Sequence, residues 1–367
     1  DLSHIDVLNT YSYLHDKISK GVFVRIKSNK LVLFQPFVNV NYRNDYDSLK
    51  KCTGQLSRVL KATYASQGYP YNHRRIDFSP DHWVCNDFLL RFENPRKHND
   101  TNMNVLFHLF SEVVRERKIT DCEFFINKRD FPVLSMVDGV MCDPYISLTG
   151  RGVPLKNPLK KYTPVLSQCT RDDSVDVLFP NVDDWLRICT SEGKYFEKAS
   201  SDYDINHVPW NERKNAAVWR GSSTGKGVTV ETNPRLKISA MSMALLLEGE
   251  NILDAGITKW NIRPRVLDGK LVAIDSATMM SLPLVPRIDF QRMSEYKIIV
   301  HLPGHSAAYR LGTTMGLGCV VIKAETEYKL WFEDMLIPWT HFIPIRSDLS
   351  DLEKAIRWCI NNDKEAE

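Results

Sequence analysis

The sequence predicts an α/β fold built from two strand–helix–strand halves, and three observations predict it. Short apolar, β-branched runs alternate with amphipathic stretches of helical period, glycine turns follow several of the strands, and a polar stretch divides the chain near its middle. In the first half, "KLVLFQPFV" (30–38) reads as a strand, "SLKKCTGQLSRVLKATYAS" (48–66) as an amphipathic helix and "WVCNDFLLRF" (83–92) as a strand. "MNVLFHLFSEVVRERK" (103–118) follows as a helix and "CEFFINKRDFPVLSM" (122–136) as a strand with a turn.

In the second half, "NAAVWRGSS" (215–223) is a strand entering a loop and "RLKISAMSMALLL" (235–247) a helix. "YKIIVHLPGHSAAYRLGTTMGLG" (296–318) reads as strand, glycine turn and helix. "CVVIKA" (319–324) and "WTHFIPI" (339–345) are strands, and "LSDLEKAIRWCINND" (349–363) is a helix. Such alternation implies βαβ units and a mostly parallel sheet. The polar stretch at roughly 191–214 makes a linker, which gives domains at 1–200 and 205–345 and a C-terminal helix in 346–367 that can pack back on the first domain.

Composition narrows the class. With 367 residues, 43% hydrophobic and 25% charged, the chain lies in the globular range and has no apolar run long enough for a membrane helix. It opens at Asp1 on an amphipathic, charged stretch without Met, which suits a chain from which a leader has been removed. Lys and Arg total 48 against 45 Asp and Glu, a balance that argues against a nucleic-acid surface; "RERK" (115–118) reads as the solvent face of a helix. The eight cysteines show no CxxC and no His at ligand spacing, so no zinc site is expected, while disulfides remain open.

Three segments carry candidate chemistry. In "NAAVWRGSSTGKG" (215–227) a strand enters a loop of glycines and hydroxyls, but Gly221 stands too close to Gly225, and Gly227 rather than Ser or Thr follows Lys226. The spacing excludes a P-loop ATPase or kinase and leaves a phosphate-binding loop. In "HLPGHSAAYR" (301–310) a helix starting near His305 or Ser306 would offer free N–H groups to an anion, with Arg310 close by; Gly304 could equally just turn the chain. Arg235 adds a second cation. In "CEFFINKRD" (122–130) the strand ends at Asp130, where a carboxylate can take a proton from a bound hydroxyl. Read alone, an Asp there more often pairs with a neighbour such as Arg129 or caps a turn.

The same segments, in order, resemble glycosyltransferase family 90, the protein O-glucosyltransferase and capsule-associated xylosyltransferase group. "INKRDFP" resembles its N-x-R-D-[YF]-P segment, "YTPVLSQCTRDDSVDVLFPNVDDW" (162–185) its "PVFSF…DI.FP…W" segment, and "WRGSSTG" (219–225) its [FW]RGSxT loop. "YKIIVHLPGHSAAYRLGTTMGLGCVVIK" (296–323) and "WFEDMLIPWTHFIPIRSDLSDLEKAIRWCINND" (331–363) are similar to its last two motifs. Together they cover about two thirds of the chain.

The resemblance implies a GT-B fold, two Rossmann-like domains facing each other across a cleft. It also implies an inverting, metal-independent transferase that moves glucose or xylose from a UDP-sugar to a glycan or protein hydroxyl, with no metal and no further cofactor. Asp130 stands at the catalytic base. Arg220, Gly221, Ser222, Ser223 and Thr224 stand at the diphosphate loop, and Gly304, His305, Ser306, Ala307, Tyr309 and Arg310 at the nucleotide-binding segment, with Arg235 as second cation. Arg129, Phe131 and Trp185 are expected on the acceptor side.

This chain departs from the family pattern after the loop, where "KGVTVETNPRLK" replaces an "ERD" triplet, and at Ala308 and "LGC" (317–319). Competing readings are a metal-dependent transferase using one of the "DYD" triplets (45–47, 202–204) and a non-catalytic glycan- or nucleotide-binding module. Family members commonly work in the secretory lumen, and "NDT" (99–101) fits a glycosylation acceptor, yet no retention signal is present.

Overall fold

A computed structural model describes residues 9–11, 13–14, 18, 20–38, 83–84, 102–136, 162–191, 208–261, 265–267 and 270–367. The predicted helix at 48–66, both DYD triplets, the NDT pattern, most of the strand at 83–92 and most of the 191–214 stretch lie outside these residues. The chain divides into two compact units, Asp1–Val182 and Asp183–Glu367, both of mixed α/β structure. Among the described residues no helix is long and apolar enough to cross a membrane.

The first unit holds β1 (Lys20–Lys27), β2 (Lys30–Val38), β3 (Trp83–Val84), α1 (Asn102–Glu116), β4 (Cys122–Asn127), β5 (Val165–Ser167) and β6 (Val177–Leu178). They form one sheet in the order β3-β2-β1-β4-β5-β6. This sheet is mixed: three of its pairs are parallel, as expected of a mostly parallel sheet, but β1 runs antiparallel to both β2 and β4. The reason is local: Ser28 and Asn29 adopt φ of 48° and 57°, which makes a two-residue hairpin turn that reverses the chain. Asn29 then ties the turn to its surroundings, donating to the Val114 carbonyl at 2.9 Å and accepting the Ile119 N–H at 2.7 Å. Strand β1, missing from the elements read from the sequence, is the buried centre of this sheet: Val22, Phe23 and Val24 are at most 2% exposed.

In the second unit, α2 (Val182–Ser191) precedes β7 (Lys214–Ser222), α3 (Pro234–Leu247) and β8 (Leu253–Lys259). Then come β9 (Arg265–Leu267), β10 (Lys270–Val272), α4 (Ser276–Ser281), α5 (Phe290–Met293) and β11 (Tyr296–His301). The chain closes with α6 (Leu311–Met315), β12 (Val320–Ala324), β13 (Ile343–Ile345), α7 (Leu352–Asn361) and α8 (Asp363–Ala366). Here the parallel expectation holds: β13-β12-β11-β7-β8 form a five-stranded, wholly parallel sheet.

The run "AAVW" shows why β7 sits inside. Ala217 and Trp219 pack into the core that also holds Leu236 of α3 and Ile356 of α7, while Ala216 and Val218 face Met293, Ile299 and Leu317 on the opposite side. Helix α3 is bounded by its sequence: Asn233 caps it by accepting the Arg235 N–H at 2.9 Å, Pro234 fills the first turn, and Gly249 ends it at φ 84°.

Candidate functional site

From β7 the sheet grows outward to β8, and the chain then returns to lay β11 on the other side of β7. The strand order reverses between β7 and β11, so the crevice beyond their carboxyl ends is where an open α/β sheet binds a ligand. Both glycine loops singled out in the sequence leave the sheet there.

The two loops are fastened to each other by buried polar groups. Arg235, from the first turn of α3, donates to the carbonyls of Pro303 (2.8 Å), Ser222 (3.1 Å) and Leu302 (3.3 Å). His305 accepts the Gly225 N–H through Nδ1 at 3.3 Å. Ser223 is fully buried, and its hydroxyl accepts the Asn261 N–H at 2.7 Å. Arg265, which sequence reasoning missed, is 2% exposed and donates to the carbonyls of Gly225 (2.8 Å) and Ser223 (2.6 Å). Ser223, Arg235 and His305 are thus engaged in shaping the loops.

A helix beginning at His305 or Ser306 is not formed, and that expectation is corrected. His305 and Ser306 are buried in a non-helical segment closed by a Gly304 N–H to Ser306 carbonyl bond of 3.0 Å. The helix starts at Leu311 with Arg310 as its N-cap and lasts five residues. Its backbone presses against α2 at Gly312, where a Cβ would lie 2.2 Å from Asp184 Oδ1, and Gly318 turns the chain at φ 68°.

Beside the loops lies a cleft of about 620 Å³ that gathers Arg220, Gly221, Ser222, Arg235, Tyr309 and Arg310. Lys259, Arg287, Asp289 and Phe290, which the sequence analysis did not single out, complete much of its wall. Five cationic side chains, Arg220, Arg235, Lys259, Arg287 and Arg310, meet two carboxylates, Asp183 and Asp289. Arg220 is neutralised by Asp254, outside the lining, at 2.6 Å, so the remaining lining keeps a surplus of two positive charges. Arg310 donates to the Arg220 carbonyl at 2.6 Å, and the protein packed around its guanidinium pulls its pKa down to about 10, leaving it cationic at neutral pH. Arg235 and Arg310 both lie over the Trp219 ring, at 5.8 and 5.9 Å.

At the end of β11, His301 is 4% exposed and its Nδ1 has no hydrogen-bond partner among the described residues. Burial, reinforced by Arg310, Lys323 and Arg235, holds its pKa well below 6.5, so it is a neutral group among cations.

In the first unit, Asp130 is exposed just beyond β4. The preceding Asn127 builds its turn: Oδ1 accepts the Arg129 N–H at 2.8 Å and Nδ2 donates to the Phe131 carbonyl at 2.6 Å and to Ser167 Oγ at 3.0 Å. Ser167 donates in turn to Asp176, which also accepts the N–H groups of Val133 (2.9 Å) and Leu134 (2.7 Å). Burial pushes the Asp176 carboxyl up, and these bonds oppose the shift. Of the residues expected on the acceptor side, Phe131 is core at 1% exposure, and Arg129 spends its guanidinium on the Ile18 carbonyl at 2.6 and 2.9 Å. Trp185 is half-buried on α2 and is not part of the cleft lining. Thr224, Gly304, His305, Ser306 and Ala307 also fall outside that lining.

Residues 96–367, from before α1 to the last residue and including Asp130, the loop after β7 and the segment after β11, match the family described as Glycosyl transferase family 90. The chain belongs to glycosyltransferase family 90. Over 99% of its length it is 33% identical to Uncharacterized protein 179R of Invertebrate iridescent virus 6, of which it covers 35%. It is similarly 32% identical to Uncharacterized protein 027R of Frog virus 3, covering 39% of that protein. Over 69% of the chain it is 28% identical to Protein O-glucosyltransferase 2 of Danio rerio, covering 42% of it. The chain therefore spans less than half the length of these relatives.

Proposed function

We propose that this family 90 chain is an inverting, metal-independent glycosyltransferase of GT-B architecture that uses a UDP-sugar, with glucose or xylose as the sugar. In this reading residues 1–200 form the acceptor-side domain and 205–345 the donor domain; the expected return of the helix in 346–367 to the first domain is not kept, because Leu352 and Ile356 lie in the core with Trp219 and Leu236. The observation that carries the donor assignment is the cationic cleft at the switch point. Its surplus of two positive charges matches the two negative charges of a diphosphate diester.

Asp130 takes the proton of an acceptor hydroxyl, and the freed oxygen attacks C1 of the sugar on the face opposite the diphosphate. The bond from C1 to the phosphate oxygen breaks, its electrons leave with UDP, and the configuration at C1 inverts. Arg310 and the loop backbone stabilise the charge that develops on the leaving diphosphate, work that groups already fixed in place perform without reorganising. The similarity to Protein O-glucosyltransferase 2 supports a glucosyl donor and a protein hydroxyl as acceptor.

The test is turnover of a UDP-sugar panel with simple glycoside acceptors in EDTA, wild type beside Asp130→Asn. One donor turning over in EDTA, with a variant that still binds UDP but loses about 10²- to 10⁴-fold in rate, supports the reading. A requirement for Mn²⁺, or an unimpaired variant, overturns the mechanism. Failure to bind any UDP-sugar favours a non-catalytic module.

A further inference from the structure

The parallel sheet of the unit Asp183–Glu367 carries a second recess along the same edge, with the opposite charge. About 410 Å³ in volume, it is lined by Lys226 after β7, Gly304 after β11, Glu325 and Thr326 after β12, and Asp348 after β13. The carboxyl ends of four parallel strands thus converge on it, and its size falls in the range of about 300–1,000 Å³ typical of small-molecule sites.

Its lining sets two lysines against four carboxylates. Lys226 is occupied by Glu327 at 2.5 Å, which leaves Lys237 of α3 facing Glu231, Glu325 and Asp348. Hydrogen bonds from the Thr229 hydroxyl to Glu231 and from the Ser350 N–H to Asp348 hold both carboxyls below their usual range, so both stay ionised. Thr232, Thr326 and Ser347 add hydroxyls between the charges.

The two recesses share a wall. Arg235 lines the cationic cleft and Gly304 the second recess, and a Cβ on Gly304 would lie 3.3 Å from both Arg235 Nη2 and Thr224 Oγ1.

We propose that this recess binds a neutral saccharide, the sugar units of a glycan or glycopeptide substrate that lie away from the hydroxyl reacting at Asp130. The inference rests on reading the neighbouring cleft as the donor site and adds the class of its second substrate. Sugar hydroxyls donate to the ionised carboxylates, Lys237 and the Thr and Ser hydroxyls donate to sugar oxygens, and the excess of carboxylates repels phosphates and uronic acids. The difference in sign therefore sends the diphosphate to one recess and the uncharged sugar to the other.

The experiment is saturation-transfer NMR and calorimetry with neutral di- to tetrasaccharides of glucose and xylose, and with a peptide carrying the same sugars. Galacturonic-acid oligomers serve as the charge control. Wild type is compared with Glu325→Gln/Asp348→Asn, with EDTA present and absent, and UDP is titrated in parallel; thermal melts verify that the variant folds. Expected are binding of neutral saccharide in EDTA, a loss of about tenfold or more in the variant, weaker binding of the acidic oligomers, and equal UDP affinity in both proteins.

Binding to the glycopeptide but not the free saccharide, or the reverse, identifies the source of the sugar and upholds the site. Saccharide binding that is unchanged in the variant, favours the acidic oligomers, vanishes in EDTA, or is undetectable in wild type overturns the proposal. Loss of UDP binding in wild type would instead strike the donor reading, which the saccharide titration measures separately.

Discussion

Arg220, in the wall of the cationic cleft, forms an ion pair of 2.6 Å with Asp254, and the Tyr296 hydroxyl donates to the other Asp254 oxygen at 2.5 Å. Arg220 also donates to the Asp254 carbonyl at 2.7 Å, so a single residue of β8 fixes the arginine twice. The Arg220 side chain is only 10% exposed, whereas Asp254 is 43% exposed, and solvent screening reduces what their attraction contributes. Asp254→Ala is expected to destabilise the protein by about 1–2 kcal/mol, mostly through the desolvated guanidinium left without a counter-ion. Tyr296→Phe should cost about 1 kcal/mol. Urea unfolding of both variants checks the order, and equal losses would contradict it.

The loop after β7 depends on glycine at 227, where a Cβ would stand 2.2 Å from the Thr232 carbonyl oxygen. That neighbour is backbone and cannot swing aside. Gly227→Ala should therefore destabilise by about 1–3 kcal/mol and weaken UDP binding as the loop shifts. Calorimetric melts with a UDP titration read both effects, and an unchanged melt would mean that the loop moves freely.

Asn127 holds the Asp130 turn by bonding both flanking peptide groups and Ser167. Asn127→Ala strands several buried partners, at a cost of about 2–3 kcal/mol. With Asp130 as base, the same variant should lower kcat more than it raises KM, since the turn positions a reacting group. Steady-state kinetics below the melting range test this; a change in KM alone would argue for a purely structural turn.

His301 makes stability depend on pH, with a definite sign. Its folded pKa lies well below the 6.5 of the free side chain, so the unfolded chain binds the proton more readily. Its contribution is fully present above about pH 6.5 and is lost as pH falls, by about 1 kcal/mol between pH 6.5 and 5.5. Denaturant melts at those two pH values should show this loss in wild type and a loss smaller by about that amount in His301→Gln. Identical pH slopes would mean that folding does not lower the His301 pKa.

Some of this was written in local sequence and some was not. The strand "NAAVW", the helix at 235–247 and the turn that ends the strand from Cys122 each follow from periodicity and turn residues within a few positions, and they appear where expected, whereas the Asn233 cap was not read. Strand β1 was missed because its identity as the buried centre of a mixed sheet comes from the partners on either side of it. The helix expected at His305 is absent for a related reason: the His305 side chain is held by Gly225, 80 residues earlier, and the chain stays irregular until Arg310.

By itself, then, the sequence determined the α/β class, the positions of β7, β11 and β12 with the loops that follow β7 and β11, and the residue types able to meet an anion, but not β8. Only the tertiary structure decided what those residues do. Arg235 binds three carbonyls that the order of β7 and β11 brings to it, Ser223 turns inward, and Lys259 and Arg287 join the cleft from segments with no local signal. The physical reason is that helix and strand periods arise between neighbours in the chain. Which donor meets which acceptor, and which charge is left to face a ligand, depends on strand order across the whole sheet.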